Sequence, residues 1–492
     1  MIEKELMENE FCVEDVEIES ELDHYLGNKQ FSDIYNAERF IKEHGENVRY
    51  CFQLDKWLLW NGERWQIDHK NKILEYAINT IRSMYLDADN EQDANKRKML
   101  IEWALKSETR RRLSDMLWIA KSLYGVGILP NDLDRDLYVL DCKDGTFDLK
   151  SGKLLPFNKD NFNTKFANVT YDTNAECPKW LGFLHLVMNG NKDLINYLQK
   201  AIGYSMTGDT SEQCWFLLYG SGLNGKSTFL NTIRMILNNY AMNTPTETFL
   251  LKYGDSIPND VARLKGERFV TTFESSEGKR LNESVIKQMT GGDYITARYL
   301  YGEYFDYKPS YKIWFSTNHK PIITGTDYAT WRRVRLIPFT VKIPDNKCIR
   351  DYHEILFNEE SSGIFNWMLD GCALWQLEGL NSPKEVKTAT DGYREEMDDI
   401  GNFLNEYCQV NKSNLINALN RNEVDKYYLN DNNIYTVKST KLFQKWCEVT
   451  GGGLSQKAFN RKLQERGYFT HRFSGGYEWV GIGLLDEKVH ER

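Results

Sequence analysis

No apolar run in this chain of 492 residues is long enough to cross a bilayer, and its acidic start lacks the positive charge of a secretory signal. The expectation is a soluble protein of the cytoplasm with no membrane partner. Paired cysteines are missing as well. The nine cysteines (Cys12, Cys51, Cys142, Cys177, Cys214, Cys348, Cys372, Cys408 and Cys447) form no Cys-x-x-Cys pair and have no histidines at ligand spacing. That pattern argues against a zinc site and for reduced thiols. No internal repeat or low-complexity segment appears, which excludes solenoids and extended linkers. Nor is there an excess of positive charge: the net charge is −9. Much of this deficit is local, because ten acids between Glu3 and Asp23 are opposed there only by Lys4. Residues 1–30 therefore read as a solvated or partner-binding acidic tail, and the average sign says little about patches elsewhere.

What is present is a folded chain. Apolar residues make up 41% and aromatics 13%, and the length exceeds what one core usually supports. An N-terminal α/β module is expected over 31–175. In it Asn36–His44 is helical, Tyr50–Asp68 forms strands turning at Asn61-Gly62 in a type I′ hairpin, and helices follow at Ile73–Leu86, Lys96–Leu105 and Arg112–Tyr124. Strand pattern returns at Tyr138–Asp148 around Asp144-Gly145. Trp57, Trp60 and Trp65 are read as core rather than as a base-stacking surface.

The most informative stretch is FLLYGSGLNGKSTF, residues 216–229. A buried strand from Cys214 to Tyr219 runs into Gly-x-x-x-x-Gly-Lys-Ser, from Gly220 to Ser227, and helix follows over Asn231–Asn239. Glycines at these places let backbone N–H groups turn inward around phosphates, and the helix N-terminus adds partial positive charge. Gly220, Ser221, Gly222, Leu223, Asn224, Gly225, Lys226, Ser227 and Thr228 are the candidate cradle for ATP. Lys226 is assigned to the β- and γ-phosphates and Ser227 to Mg²⁺.

Three more apolar strands follow: RFVTTF (268–273), YKIWF (311–315) and VRLIPF (334–339). Buried strands alternating with helices indicate an α/β nucleotide-binding sheet. Glu274, directly after the first, is placed to hold the metal, and Glu277 to share it or act as base. Asn318, after the second, is placed to orient the attacking water. Arg333 or Arg332, ahead of the third, suits a finger reaching a neighbouring subunit's γ-phosphate; an arginine-rich strand edge also fits an ordinary salt-bridged surface.

In their order, GSGLNGKST, FVTTFESSEG, KQMTGGDYITARYLYGE, WFSTNHKP and DYATWRRVRLIPF resemble the superfamily 3 helicase core of phage, plasmid and poxvirus primase–helicases. Upstream, NVRYCFQLDKWLLWNGERWQID and LDCKDGTFDLKSGKLLPF resemble the module that precedes this core in the same family. The resemblance covers about four-fifths of the chain. It implies an AAA+ like P-loop ATPase over 176–384 that forms a hexameric ring, binds ATP and Mg²⁺ between subunits, and translocates on DNA. By position Lys226 and Ser227 are then Walker A residues, Glu274 the Walker B acid, Asn318 sensor 1, and Arg333 the finger, with Arg332 as the fallback. Ser275 and Ser276 depart from the pattern by separating Glu274 from the next acid.

Two DNA contacts are expected. A channel hairpin over Tyr294–Lys308 offers Lys287, Arg298 and Lys308 for phosphates, with Tyr299 and Tyr301 for stacking; the same aromatics also fit an ordinary packed hairpin. Within 385–492, a helix at Ser439–Val449, a turn at Gly451–Gly453, a helix at Ser455–Arg466 and a hairpin at Phe469–Trp479 have the layout of a winged helix. Lys457, Arg461, Lys462 and Arg472 are its candidate DNA contacts. The function implied is an ATP-driven helicase in replication initiation of a phage, plasmid or genomic island in a bacterial host, acting on single- and double-stranded DNA. No paired-acid primase site or zinc cluster is recognisable, so a separate primase or host proteins are expected as partners. The helicase half of a primase–helicase is the near alternative, and a non-translocating ATP switch that only marks DNA is the competing reading of another class.

Overall fold

The computed structural model describes residues 31–251, 259–273, 277–298, 303–325, 327–411 and 434–485. They form two compact units that divide between Tyr171 and Asp172.

In the first unit β1 (Val48–Cys51), β2 (Lys56–Trp60) and β3 (Trp65–Ile67) make an antiparallel sheet. Helices Asp33–His44, Lys72–Asn90, Ala94–Ser107 and Arg110–Ala120 accompany it. Phe40, Tyr50, Trp57, Ile81 and Met116 share its main core. A buried polar contact crosses between two helices: Asn36 Nδ2 donates to Ser107 Oγ at 3.1 Å, and Trp103 Nε1 donates to Asn36 Oδ1 at 3.0 Å. Both sides of that amide are thus satisfied, as burial requires. Trp57 and Trp65 are buried and Trp60 half-buried. The turn between β2 and β3 differs from the expected type. Trp60 pairs with Trp65, leaving four loop residues instead of two. The Asn61 side chain accepts from Glu63 N and Arg64 N, and those local bonds widen the loop. Strands β4 (Val139–Asp141), β5 (Thr146–Asp148) and β6 (Lys153–Leu155) form a second antiparallel sheet.

The second unit is built on a five-stranded parallel sheet. Its strands are β7 (Trp215–Tyr219), β8 (Ala241–Asn243), β9 (Phe269–Phe273), β12 (Lys312–Thr317) and β13 (Val334–Pro338). Their order in space is β13-β7-β12-β9-β8. Every residue of β12 is buried, as are all of β7 and β9 but the last residue of each; this is why these strands read as largely apolar runs without alternation. Between β9 and β12 stands an antiparallel hairpin, β10 (Ile295–Arg298) with β11 (Tyr304–Tyr307). Helix Lys384–Glu396 covers the β13 edge, with Leu336 N donating to Thr390 Oγ1 at 3.1 Å, and fully buried Tyr393 belongs to the sheet's core. The expected boundary at residue 385 falls at the start of this helix.

The C-terminal part continues as helix Asp399–Tyr407 and β14 (Cys408–Val410), then β15 (Thr436–Lys438) and helices Ser439–Thr450 and Gln456–Glu465. Strands β16 (Phe469–Phe473), β17 (Gly476–Val480) and β18 (Ile482–Leu484) complete it. Ser455 caps the second helix of the pair by accepting from Ala458 N. β15, β17 and β16 form one antiparallel sheet around Trp446, Phe459 and Trp479.

Candidate functional site: a phosphate cradle and an arginine turn

The carboxyl ends of β7, β9 and β12 open onto a cavity of about 730 Å³ lined by Gly222–Thr228, Phe273 and Ser316–Asn318. Crevices outside the carboxyl ends of parallel strands are where such sheets bind ligands. The loop after β7 is shaped by backbone that side chains rarely adopt: Gly222 and Gly225 have φ of 101° and 82°. A Cβ on Gly225 would also lie 2.7 Å from Val187 Cγ1, so only glycine fits there. Helix Lys226–Leu237 starts at this point with no side-chain cap, leaving its first N–H groups facing the loop.

Lys226 is buried, and its ammonium donates to Gly220 O at 2.7 Å, Asn224 Oδ1 at 2.8 Å and Asn318 Oδ1 at 3.0 Å. Two strands thereby deliver the lysine and the amide expected of sensor 1 to one point. Asn224 also donates to Phe339 O at 3.0 Å, tying the loop to the chain just past β13. Ser227 is exposed into the cavity. The glycine loop, uncapped helix, poised ammonium and hydroxyl fit a nucleotide triphosphate with its magnesium ion. β9 brings the chain to Phe273 on the cavity wall; Glu274 lies outside the described residues. Glu277 is exposed and does not line the cavity.

The far wall was not legible from motifs. Lys179 and Phe183 come from helix Pro178–Val187, which precedes the sheet, and Ile343, Asn346, Lys347 and Tyr352 from the chain after β13. No local pattern links these segments to the loop. Their part is set by where the chain returns.

Arg332 and Arg333 lie away from this cavity, in the turn between the short helix Tyr328–Trp331 and β13. Asp327 caps that helix by accepting from Thr330 N at 2.9 Å, an arrangement that stabilises a helix start by about 1 kcal/mol. The Asp-x-x-Thr spacing was a readable signal for it. The two arginines have opposite environments. Arg333 is 8% exposed, donates to Ala329 O at 2.5 Å, and leaves Nε without a hydrogen-bond partner among the described residues. Burial, helped by the neighbouring Arg332 charge, holds its guanidinium below the usual arginine range, with Asp327 and Asp293 opposing. Arg332 is exposed and donates to Gln213 Oε1 at 2.6 Å.

The expected DNA contacts separate in the same way. In the hairpin Ile295, Ala297 and Tyr307 face the core, while Thr296, Arg298, Tyr304 and Asp306 face outward. Arg298 lies over the Tyr304 ring at 5.0 Å, and Lys308 is exposed. Tyr299 and Tyr301 lie outside the described residues. Lys287 is not on the hairpin's outer face; its ammonium bonds both Asp327 oxygens at 3.0 Å. In the C-terminal part Lys457, Arg461 and Arg472 are exposed, Arg461 pairing with Glu465 one turn along. Lys462 instead donates to Thr324 O at 3.0 Å, in the loop ahead of the arginine turn.

Comparison with known proteins gives this geometry a context. Residues 37–189 match a family described as "D5 N terminal like", and residues 218–333 match a family of unknown function, DUF5906. The chain is 26% identical over 390 residues to "Putative helicase L207/L206" of Acanthamoeba polyphaga mimivirus, covering 71% of this chain and 40% of that protein. It is 30% identical over 206 residues to "Putative helicase 022R" of Frog virus 3, covering 38% of this chain and 21% of that one. A "Putative primase" of African swine fever virus is 23% identical over 305 residues, or 56% of this chain and 31% of that one. The chain thus spans less than half the length of these relatives. They are proteins of eukaryotic viruses, which gives the expected bacterial host no support. A solved structure described as "The apo structure of NrS-1 C terminal region (305-718)" superposes with a TM-score of 0.51 at 9% identity, over 92% of this chain and 99% of that one. That likeness concerns the fold. No helix among the described residues is long and apolar enough to cross a membrane.

Proposed function

We propose that this chain is the ATP-dependent helicase part of a viral or mobile-element replication protein, of the superfamily 3, AAA+ like type. The observation that carries the reading is the meeting of Lys226 and Asn318 at the mouth of a glycine loop, with an exposed arginine that does not line its own cavity. The first pair grips a γ-phosphate and orients the water that attacks it, and Ser227 holds the metal. A magnesium ion, when bound there, would offset charge on the phosphates. An exposed arginine remote from its own cradle suits a neighbour's nucleotide, which makes a ring of copies, a hexamer by family resemblance, the working assembly. Because Arg333 is packed inside its own subunit, the finger passes to Arg332.

DNA is the substrate this reading takes from the names of the relatives. The hairpin's outer face offers Arg298, Tyr304 and Lys308 for phosphate and base contact. The C-terminal helix pair with its β16–β17 hairpin is read as a winged helix, with Lys457, Arg461 and Arg472 toward duplex. A separate primase is a partner in the same scheme. The deciding experiment is ATP-dependent unwinding of a forked DNA by the full chain, with polarity read from which tail is required. Strand separation that needs both ATP and Lys226 is the expected result. ATP hydrolysis without strand separation makes the protein a non-translocating switch, and no hydrolysis at all rejects the reading.

A further inference from the structure

One side chain joins two regions separated from it by 119 and 78 residues. Gln213, in the turn ahead of β7, has φ of 47°, a left-handed backbone uncommon for glutamine. Its carboxamide is engaged at both atoms. Oε1 accepts from Arg332 at 2.6 Å, and Nε2 donates to Gly291 O at 3.0 Å. The partners fix the amide's orientation, since a guanidinium only donates and a carbonyl only accepts.

Gly291 is the last residue of helix Glu283–Gly291, and from it the chain passes through Gly292 into the β10–β11 hairpin. The other end of that helix holds the loop before the arginine turn. Glu283 accepts from Thr324 N at 2.9 Å and Gly325 N at 2.7 Å, and Lys287 pairs with Asp327, the cap of the short helix that leads to Arg332. Helix Glu283–Gly291 is therefore tied to the arginine turn at its start, through Gln213 at its finish, and is continuous with the hairpin. Displacement of Arg332 must break the Gln213 bridge or carry the root of the hairpin with it.

We infer that Gln213 is a positioning residue that couples the arginine turn to the DNA-gripping hairpin. The inference rests on the reading of nucleotide and DNA sites given above. Gln213→Glu keeps an acceptor for Arg332 and strengthens it, but loses the donor and sets an oxygen against the Gly291 carbonyl. Gln213→Asn tolerates the left-handed backbone more readily but is one methylene too short to span both partners.

The test measures ATP turnover by the full chain, with and without poly(dT) DNA. In both variants the ratio of DNA-stimulated to basal rate is expected to fall by at least ~5-fold, while the basal rate of Gln213→Asn, which sets no new charge beside Arg332, stays within ~2-fold of wild type. An unchanged ratio in both variants overturns the inference. So does a parallel loss of both rates, which marks a merely structural residue. A wild-type chain that hydrolyses no ATP, or ignores DNA, overturns the proposed function first and this inference with it.

Discussion

The two ends of β13 carry opposite kinds of site. Just past its carboxyl end, Phe339 receives Asn224, and the cradle is completed by bonds inside one subunit: Lys226 is buried with three oxygen partners. At its amino end two adjacent arginines part company, Arg333 turned into the core and Arg332 held outside by Gln213. A group that serves a ligand in its own chain can be buried and pre-arranged. In the ring proposed above, a group that serves a neighbouring chain must instead stay at the surface. Exposure, rather than residue type, distinguishes the two.

Removing the cradle's cation should have the largest effect. Lys226→Ala is expected to lower ATP turnover by at least ~10³-fold with the fold retained, since a charge aimed at the transferring phosphate is lost. Circular dichroism and an ATPase assay check this, and near-normal turnover would refute the cradle assignment.

The comparison along β13 is sharpened by treating its two arginines separately. Arg332→Ala should cut turnover by about 10³-fold without changing the melting temperature. Arg333→Ala should instead lower stability by ~1–3 kcal/mol, because Ala329 O loses its donor and a packed side chain goes. Mixing Arg332→Ala with Lys226→Ala chains should restore part of the activity, because some interfaces then unite an intact cradle with an intact finger. Recovery with Arg333→Ala and none with Arg332→Ala, in rings shown to be mixed, would return the finger to Arg333.

Truncation separates the sheet and its cover from the C-terminal helices and strands. A chain ending at Asp398 keeps Tyr393 and the β13 cover, and should keep basal turnover within ~3-fold while losing duplex preference. A chain ending at Pro383 loses that cover, and removal of a buried aromatic alone costs ~3–5 kcal/mol. Thermal melting of the two truncations distinguishes them; equal stability would place Tyr393 outside the ATPase core.

The smallest effect concerns the C-terminal helix. Lys457→Ala and Arg461→Ala should each lower the salt dependence of duplex binding by ~0.9 in log–log slope. Lys462→Ala should leave the slope unchanged, because its ammonium is committed to Thr324 O. Titrations at several salt concentrations decide, and an equal slope loss for Lys462→Ala would show that the Thr324 contact opens on DNA.

Local chemistry made the cradle readable in advance. Gly220–Ser227 is contiguous, and its conformation is dictated by glycine's freedom and the helix that starts at Lys226. The four long parallel strands were readable for the same reason, since burial on both faces leaves an apolar run that needs no partner to be recognised. The helix pair after Ser439 announced itself by periodicity and by its Ser455 cap. For the adjacent arginines the sequence pattern favoured Arg333, but it gave no sign that the turn before β13 buries Arg333 and exposes Arg332. Lys287 read as a phosphate contact, and nothing local announced its ion pair with Asp327, 40 residues on. Asn61-Gly62 read as a two-residue hairpin until the asparagine's own side chain spent its acceptor on the loop. Lys462 and Gln213 were silent or misleading in the same way. A long polar side chain reaches several ångströms in any direction, so composition says that it will bond and folding selects the partner.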